Sequence, residues 1–372
     1  NDVDLSNFVG SVLNAGSATG KITVSDTSSA VPITLVTGSG NDSLTLADAQ
    51  AHNVSSGGGV DTIIISTVGA ASVINAEGGE DIITVTDAAT TGTISGGDDN
   101  DSITVTTVHA SALDGGDGYD TLNLDNQDHG AIGSFVNFEK VTITGATEIS
   151  AAQFANENTF ELSGGGFTLT IDADTVDVAA TVDASNVTGD IGAVAILDID
   201  GSSKADTLTG SELVDVIDGN GGDDIISGGE GTDTLNGNAG NDTISLTQST
   251  DWAKGADGND SIRLTQTAGS GSQLIKGQDG NDTISVGTGA VFASLSATFK
   301  GGSGTDLLTI STGSNVTNAI GLNTNGGADA DTITWLTAGN TTNFVGAVAK
   351  GGDANDLIVI GSGNTFATSA IQ

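Results

Sequence analysis

Short runs of alternating apolar and polar residues return along this chain at regular intervals, each after a glycine-rich stretch that closes on an aspartate. Two residues beyond that aspartate stands Ile or Leu in all fifteen copies: Leu44, Ile63, Ile83, Ile103, Leu122, Leu208, Ile217, Ile226, Leu235, Ile244, Ile262, Ile284, Leu308, Ile333 and Ile358. Side chains on a strand alternate between its faces, so each run predicts a short strand with its apolar residue turned inward. In most coils of the one-sided regions described below a second apolar residue follows two positions on (Leu46, Ile65, Val85, Val105, Leu124, Val286, Ile310, Ile360). Two inward residues per strand predict a wide, flat core. A strand this short cannot bury its face alone, so the copies must stack on one another.

From Gly201 to Ser245 the repeat is gapless: GSSKADTLT, GSELVDVID, GNGGDDIIS, GGEGTDTLN, GNAGNDTIS. Isolated copies start at Gly255, Gly277, Gly301, Gly326 and Gly351, and an earlier set starts at Thr37, Ser56, Ala76, Gly96 and Gly115. A coil of two strands and two turns takes about two nonapeptides. On that count Asp206, Asp224, Asp242 and Asp260, each 18 apart, belong to one edge of a stack, continued by Asp282, Asp306, Asp331 and Asp356 at steps of 22, 24, 25 and 25. Asp215 and Asp233 fall halfway and belong to the opposite edge. Asp42, Asp61, Asp81, Asp101 and Asp120, at steps of 19, 20, 20 and 19, form a separate one-sided column. Upstream, GSATGKITV from Gly16 aligns with GSGNDSLTL, with Gly20 in the place of the aspartate.

The spacing divides the chain into four regions: 1–35, β coils without the motif; 36–125, a first one-sided block; 126–200, a metal-free β bridge, with a separate β-sandwich as the alternative; and 201–372, a second block that changes from two-sided to one-sided. In the late coils the opposite half, as in Thr337–Lys350, is longer and lacks the motif. Ser150–Asn158 is a candidate short helix.

Composition then supplies the chemistry. There are 48 acidic and 8 basic residues, a formal net charge of −40, yet 36% of residues are hydrophobic, so the chain is no solvated acidic tail. Such a charge disfavours nucleic acid and anionic lipid as partners. With no Cys, nothing is stapled by disulfides, and no apolar run reaches membrane-spanning length. Only 3% of residues are aromatic, so Ile, Leu, Val and Ala must build the core. Glycines let a turn pass through positive φ and bring carbonyl oxygens together, and the aspartate adds a hard anionic oxygen. Calcium takes six to eight such oxygens. The candidate ligands are therefore Asp42, Asp61, Asp81, Asp101, Asp120, Asp206, Asp215, Asp224, Asp233, Asp242, Asp260, Asp282, Asp306, Asp331 and Asp356. With them go the turns at Gly38, Gly40, Gly57, Gly59, Gly116, Gly118, Gly219, Gly221, Gly222, Gly229, Gly231, Gly240, Gly258, Gly280, Gly302 and Gly304, for about a dozen Ca²⁺ in all. The signal is weaker at GSSKAD and GSELVD, which lack the central glycine, and at GGDAND. Asp98, Asp117, Asp257, Asp279 and Asp353 read as solvated charge.

The nonapeptide resembles the RTX (repeats-in-toxin) calcium-binding repeat. The resemblance implies an all-β, right-handed parallel β-roll or β-helix solenoid, and a protein secreted by a type I system of a Gram-negative bacterium that folds on meeting external calcium. Ser134–Ala146 resembles what often follows such a block in bacterial surface proteins, and Ala180–Ser203 what often precedes one. Abundant Thr, Ser, Ala and Gly with scarce Lys resembles surface-layer composition. The expectation is an extracellular, cell-surface structural protein that self-associates into an array, with cell-surface polysaccharide or lipopolysaccharide as a further partner and no membrane insertion. An adhesin repeat region, or the calcium-folding module of an RTX exoenzyme, are the alternatives.

Nothing in the sequence reads as catalytic: there is no HExxH, no GxSxG, and a single Arg. His52, His109 and His129 share no motif spacing and read as loop residues. Trp252 and Trp335 read as core or cap fillers of degenerate half-coils. Lys254, Lys276, Lys300 and Lys350, half of all basic residues, occupy one repeat position just before the first glycine, with Asn325 in the remaining coil. They read as cations offsetting the carboxylate column, or as a contact to an anionic glycan or a neighbouring subunit.

Overall fold

The computed structural model describes residues 3–6, 12–26, 31–47, 49–69, 71–86, 92–107, 111–125, 134–154, 160–162, 168–173, 178–189, 196–248, 250–265, 272–287, 296–312, 318–320, 322–337, 343–361, 365–367 and 370–371. It is a parallel β-solenoid with one short helix among the described residues, and its contacts divide the chain into two units. The first comprises Asn1–Thr170 with Asn186–Ala195, the second Ile171–Ser185 with Ile196–Gln372. Residues 126–200 are thus shared between them. Among the described residues no helix is long and apolar enough to cross a membrane.

In the first unit each coil consists of a strand leading into the motif turn and a strand leaving it. The leaving strands, such as Ser43–Ala47, Thr62–Thr67, Ile82–Val85, Ser102–Val105 and Thr121–Leu124, form one sheet in which neighbours pair in parallel. The leading strands, such as Ser72–Gly78, Gly92–Asp98 and Ala112–Asp117, form the other. Ser134–Val136 and Lys140–Ile143 add parallel strands to these two sheets without a motif. The helix is a single turn, Ala151–Phe154, closed by a reciprocal cap. Ser150 N–H donates to Gln153 Oε1 at 2.7 Å, and Gln153 N–H donates to Ser150 Oγ at 3.3 Å. Its Phe154 stacks on Phe160 with ring centroids 4.6 Å apart.

The second unit repeats the plan, with Ile225–Ser227, Thr243–Leu246, Ser261–Leu264 and Thr283–Val286 in one sheet and Val214–Asp218, Thr234–Ala239, Trp252–Asp257 and Ser272–Asp279 in another. Where the step lengthens to 25, a third sheet appears, built of Asn318–Ile320, Asn343–Val345 and Thr365–Ala367. The added residues supply an extra strand per coil. Segments 266–271, 288–295 and 338–342 of the motif-free halves lie outside the described residues.

Fourteen of the fifteen Ile/Leu positions are essentially fully buried; Ile358 is partly exposed. The second inward place is filled by Leu46, Ile65, Val85, Val105, Leu124, Leu246, Leu264, Val286 and Ile310, and in the coil of Asp331 by Trp335, which is 1% exposed. Trp335 is therefore a regular core residue of a motif coil. Trp252, in contrast, is 53% exposed on an outer sheet face and fills no core. The strand period, which puts it on the opposite face from Ala253, decides this.

One register differs from the sequence reading. The ladder pairs Thr23 with Ser43 and Val24 with Leu44, so Ile22, not Gly20, takes the place opposite Asp42. The slip is two residues, which leaves every side chain on its own face, so alternation alone could not detect it.

The neighbours Ile225 (55% exposed) and Ile226 (0%) isolate the core contribution. Ile226→Ala is expected to lower the unfolding free energy of the calcium-loaded chain by about 2–5 kcal/mol. Ile225→Ala is expected to change it by no more than about 0.5 kcal/mol, as read by denaturant melts.

Candidate metal centre

The motif aspartates stand in ladders inside the edges of the coils. Each donates its own backbone N–H to the Oδ1 of the motif aspartate one coil further on. Asp42, Asp61, Asp81 and Asp101 donate to Asp61, Asp81, Asp101 and Asp120 at 2.6–2.8 Å. Asp206, Asp224, Asp242, Asp260, Asp282, Asp306 and Asp331 donate in the same way along a chain that ends on Asp356, at 2.8–3.0 Å. On the other edge Asp215 donates to Asp233 at 3.1 Å. The structure thus gathers all fifteen predicted aspartates into three columns. All are buried except Asp356, which is half-buried.

Both the short column and the first column run further than the sequence reading. Asp233 donates to Asp251 Oδ1 at 3.2 Å, and Asp251 is fully buried. Its turn, Thr247–Thr250, has no glycine, so no motif marks it, though the 18-residue step from Asp233 does. Asp120 donates to Glu139 Oε2 at 2.7 Å, which extends the first column one step of 19. At the other end of that column Ile22 N–H donates to Asp42 at 2.6 Å.

A second ladder runs one residue earlier, in the opposite sense. Asn259 N–H donates back to Asn241 Oδ1 at 2.9 Å, Asn281 N–H to Asn259 at 2.7 Å, and Thr305 N–H to Asn281 at 2.7 Å. The recurrent Asn-Asp pair therefore ties each coil to both neighbours.

The second carboxylate oxygen decides the chemistry. In twelve of the fifteen predicted aspartates Oδ2 is buried and has no hydrogen-bond partner: Asp42, Asp61, Asp81, Asp101, Asp120, Asp224, Asp233, Asp242, Asp260, Asp282, Asp306 and Asp331. In nine of them it lies against the first glycine of its own nonapeptide; in the turns of Asp42, Asp61 and Asp81 that first place is held by Thr37, Ser56 and Ala76. A Cβ on Gly255 would stand 1.9 Å from Asp260 Oδ2, and one on Gly301 would stand 2.1 Å from Asp306 Oδ2 and 2.4 Å from the Gly326 carbonyl oxygen of the next coil. The missing side chain leaves a cradle on which a carboxylate oxygen and a main-chain carbonyl converge. Among the described residues no three His, Cys, Asp or Glu side chains gather as a metal cluster. One carboxylate per turn with carbonyl donors is an all-oxygen set, which fits a hard cation such as Ca²⁺.

Two sites differ. Ser202 N–H donates to Asp206 Oδ2 at 2.6 Å and Ser211 N–H to Asp215 Oδ2 at 2.7 Å, and both serine hydroxyls add bonds to the same carboxylates. These are the two motifs with Ser at the second position, where the others carry Gly, Asn, Ala, Gln or Glu, and here the protein satisfies its own carboxylate. Asp251 is capped likewise by Gln248 N–H at 2.9 Å.

The glycines divide into two roles. Gly57, Gly59, Gly116, Gly222, Gly229, Gly231, Gly240, Gly258, Gly280, Gly302 and Gly304 hold positive φ, as expected; Gly38, Gly40, Gly118, Gly219 and Gly221 do not. At Gly38 and Gly118 a Cβ would meet a carbonyl oxygen of the preceding coil at 2.0 Å, and at Gly219 it would meet Asp224 Oδ2 at 2.3 Å, so these are needed for close approach. At Gly221 a Cβ would make only ordinary contacts, the nearest at 3.7 Å. Asp98, Asp117, Asp257, Asp279 and Asp353 are exposed. His52 is buried, and its Nδ1 accepts from Ile33 N–H at 3.4 Å, so it is a packed residue; His109 and His129 lie outside the described residues.

Residues 209–244 and 267–290 match the family model of the RTX calcium-binding nonapeptide repeat (4 copies). The match falls on the turns of Asp215, Asp224, Asp233, Asp242 and Asp282, and the coils around them repeat the same geometry. The chain carries RTX calcium-binding repeats on a β-solenoid. No curated protein matches the chain.

In the RTX columns the carboxyls are driven toward their neutral form. Burial pushes Asp81 and Asp233 up to about 8, Asp101, Asp224, Asp260 and Asp306 to about 7, and Asp61, Asp215 and Asp251 to about 6, with column neighbours adding repulsion. Burial also raises Asp120, Asp242, Asp282 and Asp331. A raised folded-state pKa means that the metal-free fold holds protons the unfolded chain has released. That stability is fully present below the ordinary value of 3.8 and is lost as pH rises through about 6–8. In excess EDTA, far-UV circular dichroism is expected to show more β-structure at pH 5 than at pH 8, and calcium added at pH 8 to restore it. Metal-free structure that is indifferent to pH over this range would contradict the assignment.

The serine caps give a second expectation. Asp282→Asn should lower the number of calcium ions bound, by isothermal titration, whereas Asp206→Asn should leave it unchanged.

Proposed function

We propose that this chain is a secreted structural protein of the bacterial cell surface, a surface-layer or similar array component without enzymatic activity, which folds and assembles when it meets external Ca²⁺. The observation that carries this reading is the set of twelve orphaned, buried carboxylate oxygens, in a chain of net charge −40. Once the pH exceeds the raised carboxyl values of about 6–8, a bound cation must neutralise columns spaced by one coil, about 4.8 Å. Metal-binding energy then becomes folding energy. About a dozen Ca²⁺ would bring on the order of 24 positive charges, more than half of what is needed. Extracellular modules of this chemistry bind at about 10⁻⁴–10⁻³ M, so a chain made in a calcium-poor cytoplasm stays unfolded until it is outside. Repeats whose stability is shared between nearest neighbours suit an extended, load-bearing element.

At pH 7.5 the chain is expected to be largely unfolded in EDTA and to fold cooperatively as calcium rises through the millimolar range. Full β-structure in excess EDTA would sink this coupling. Electron microscopy of the calcium-loaded protein separates the roles: two-dimensional sheets support an array component, isolated rods an adhesin stalk or the folding module of an exoenzyme. Asp242→Ala is expected to raise the calcium midpoint, with amide exchange quickening first in the coils of Asp224 and Asp260.

A further inference from the structure

The outer face of the second unit carries a charge gradient. On the sheet that leads into the main column, one outward row reads Asp200, Asp218, Asn236, Lys254, Lys276, Lys300, Asn325, Lys350, each residue paired in register with the next. The row is acidic at one end and basic at the other. Two residues earlier runs a second row: Asp198, Val216, Thr234, Trp252, Leu274, Thr298. Trp252, Lys254, Leu274 and Lys276, with Thr234 and Asn236, line a groove of about 160 Å³.

The lysines do not offset the carboxylate column by contact. Among the described residues none of Lys254, Lys276, Lys300 and Lys350 has an ion-pair or hydrogen-bond partner at its ammonium group, in a chain with 48 acids. Among the described residues these four cations share one outward row, and two of them, Lys254 and Lys276, line the groove with the exposed Trp252, which gives this face of a strongly acidic unit a basic end. We propose that this face binds a second copy of the chain about a twofold axis. The axis runs along the strands between Thr234–Ala239 and Trp252–Asp257.

Such an axis reverses the order of coils and keeps each row facing itself. Asp200 then meets the partner's Lys300, Asp218 the partner's Lys276, and Asn236 the partner's Lys254. In the second row Val216 meets the partner's Leu274, and each Trp252 covers the partner's Thr234. No like charges oppose. Half a coil further along, the axis would set Lys254 against its own copy, so the register is specified by repulsion as well as attraction. The contact is isologous: one patch serves both partners. An anionic polysaccharide would satisfy the basic end but would be repelled at Asp200 and Asp218, so the gradient favours the second copy. The proposal rests on the calcium-folded coil stack above and names one contact through which an array could grow.

Sedimentation velocity of the full chain in calcium tests it, with far-UV circular dichroism on each sample so that failure to fold and failure to associate are read apart. The wild type is expected to form a concentration-dependent dimer at about 20 mM NaCl whose Kd rises about tenfold or more at about 500 mM. Lys276→Glu with Lys300→Glu should be monomeric, as should Asp200→Lys with Asp218→Lys, and an equimolar mixture of the two should dimerise again. If either double variant fails to fold, Lys300→Gln and the wild-type salt series decide. A salt-insensitive dimer, variants that still dimerise, or a folded mixture that stays monomeric would overturn the proposal. So would a monomeric wild type that immobilised polygalacturonate retains through Lys276 and Lys300, which would assign the ladder to an acidic glycan.

Discussion

Everything in this protein is arranged around a line of carboxylates buried one coil apart. A single buried carboxylate is costly, and a column of them adds mutual repulsion to the desolvation of each. The backbone meets half of the demand, because within each column a motif N–H is aimed at the Oδ1 of the next coil. The other oxygen is left without a donor in most coils, so the fold is complete only with a proton or a metal ion in the edge. A β-solenoid of this kind is therefore conditional on its surroundings, in a way that an Ile/Leu core alone would not be.

The column ends show the alternative. Asp206 and Asp215 open their columns and are capped by serine, and Asp251 closes the short column and is capped by Gln248. At these three places the turn departs from the glycine-rich pattern and the protein donates to its own carboxylate. In most interior turns the first glycine keeps the cradle open and no donor fills it. The repeat thus has two solutions to one problem, and at Asp206 and Asp215 the choice is made by the serine after the first glycine, whose N–H donates to Oδ2 and whose hydroxyl donates to the same carboxylate.

The outer surface follows a separate logic. Inward positions are constrained by packing and ligation, whereas the outward rows are free to vary, and one of them drifts from Asp200 to Lys350 along the second unit. Because coils repeat at constant rise, a gradient along such a row is self-complementary on reversal. Uniform rows could only repel their own copies.

The sequence by itself determined the repeat, the inward residues and the membership of each aspartate in a column, because all three follow from a strand period of two and a coil period near 18. It also marked the two weak motifs as chemically different. Only the tertiary structure decided the rest. The pairing of Ile22 with Asp42 escaped because a slip of two leaves alternation unchanged. Asp251 and Glu139 escaped because their turns lack glycine, though their spacing is right. Trp252 and Trp335 were indistinguishable as residues; one lies on each face of its strand. That Oδ1 is taken and Oδ2 is free, and that Asp200 and Lys350 share a row, are facts of register between coils. Register is set by hydrogen bonds between residues far apart in the chain, which no local pattern encodes.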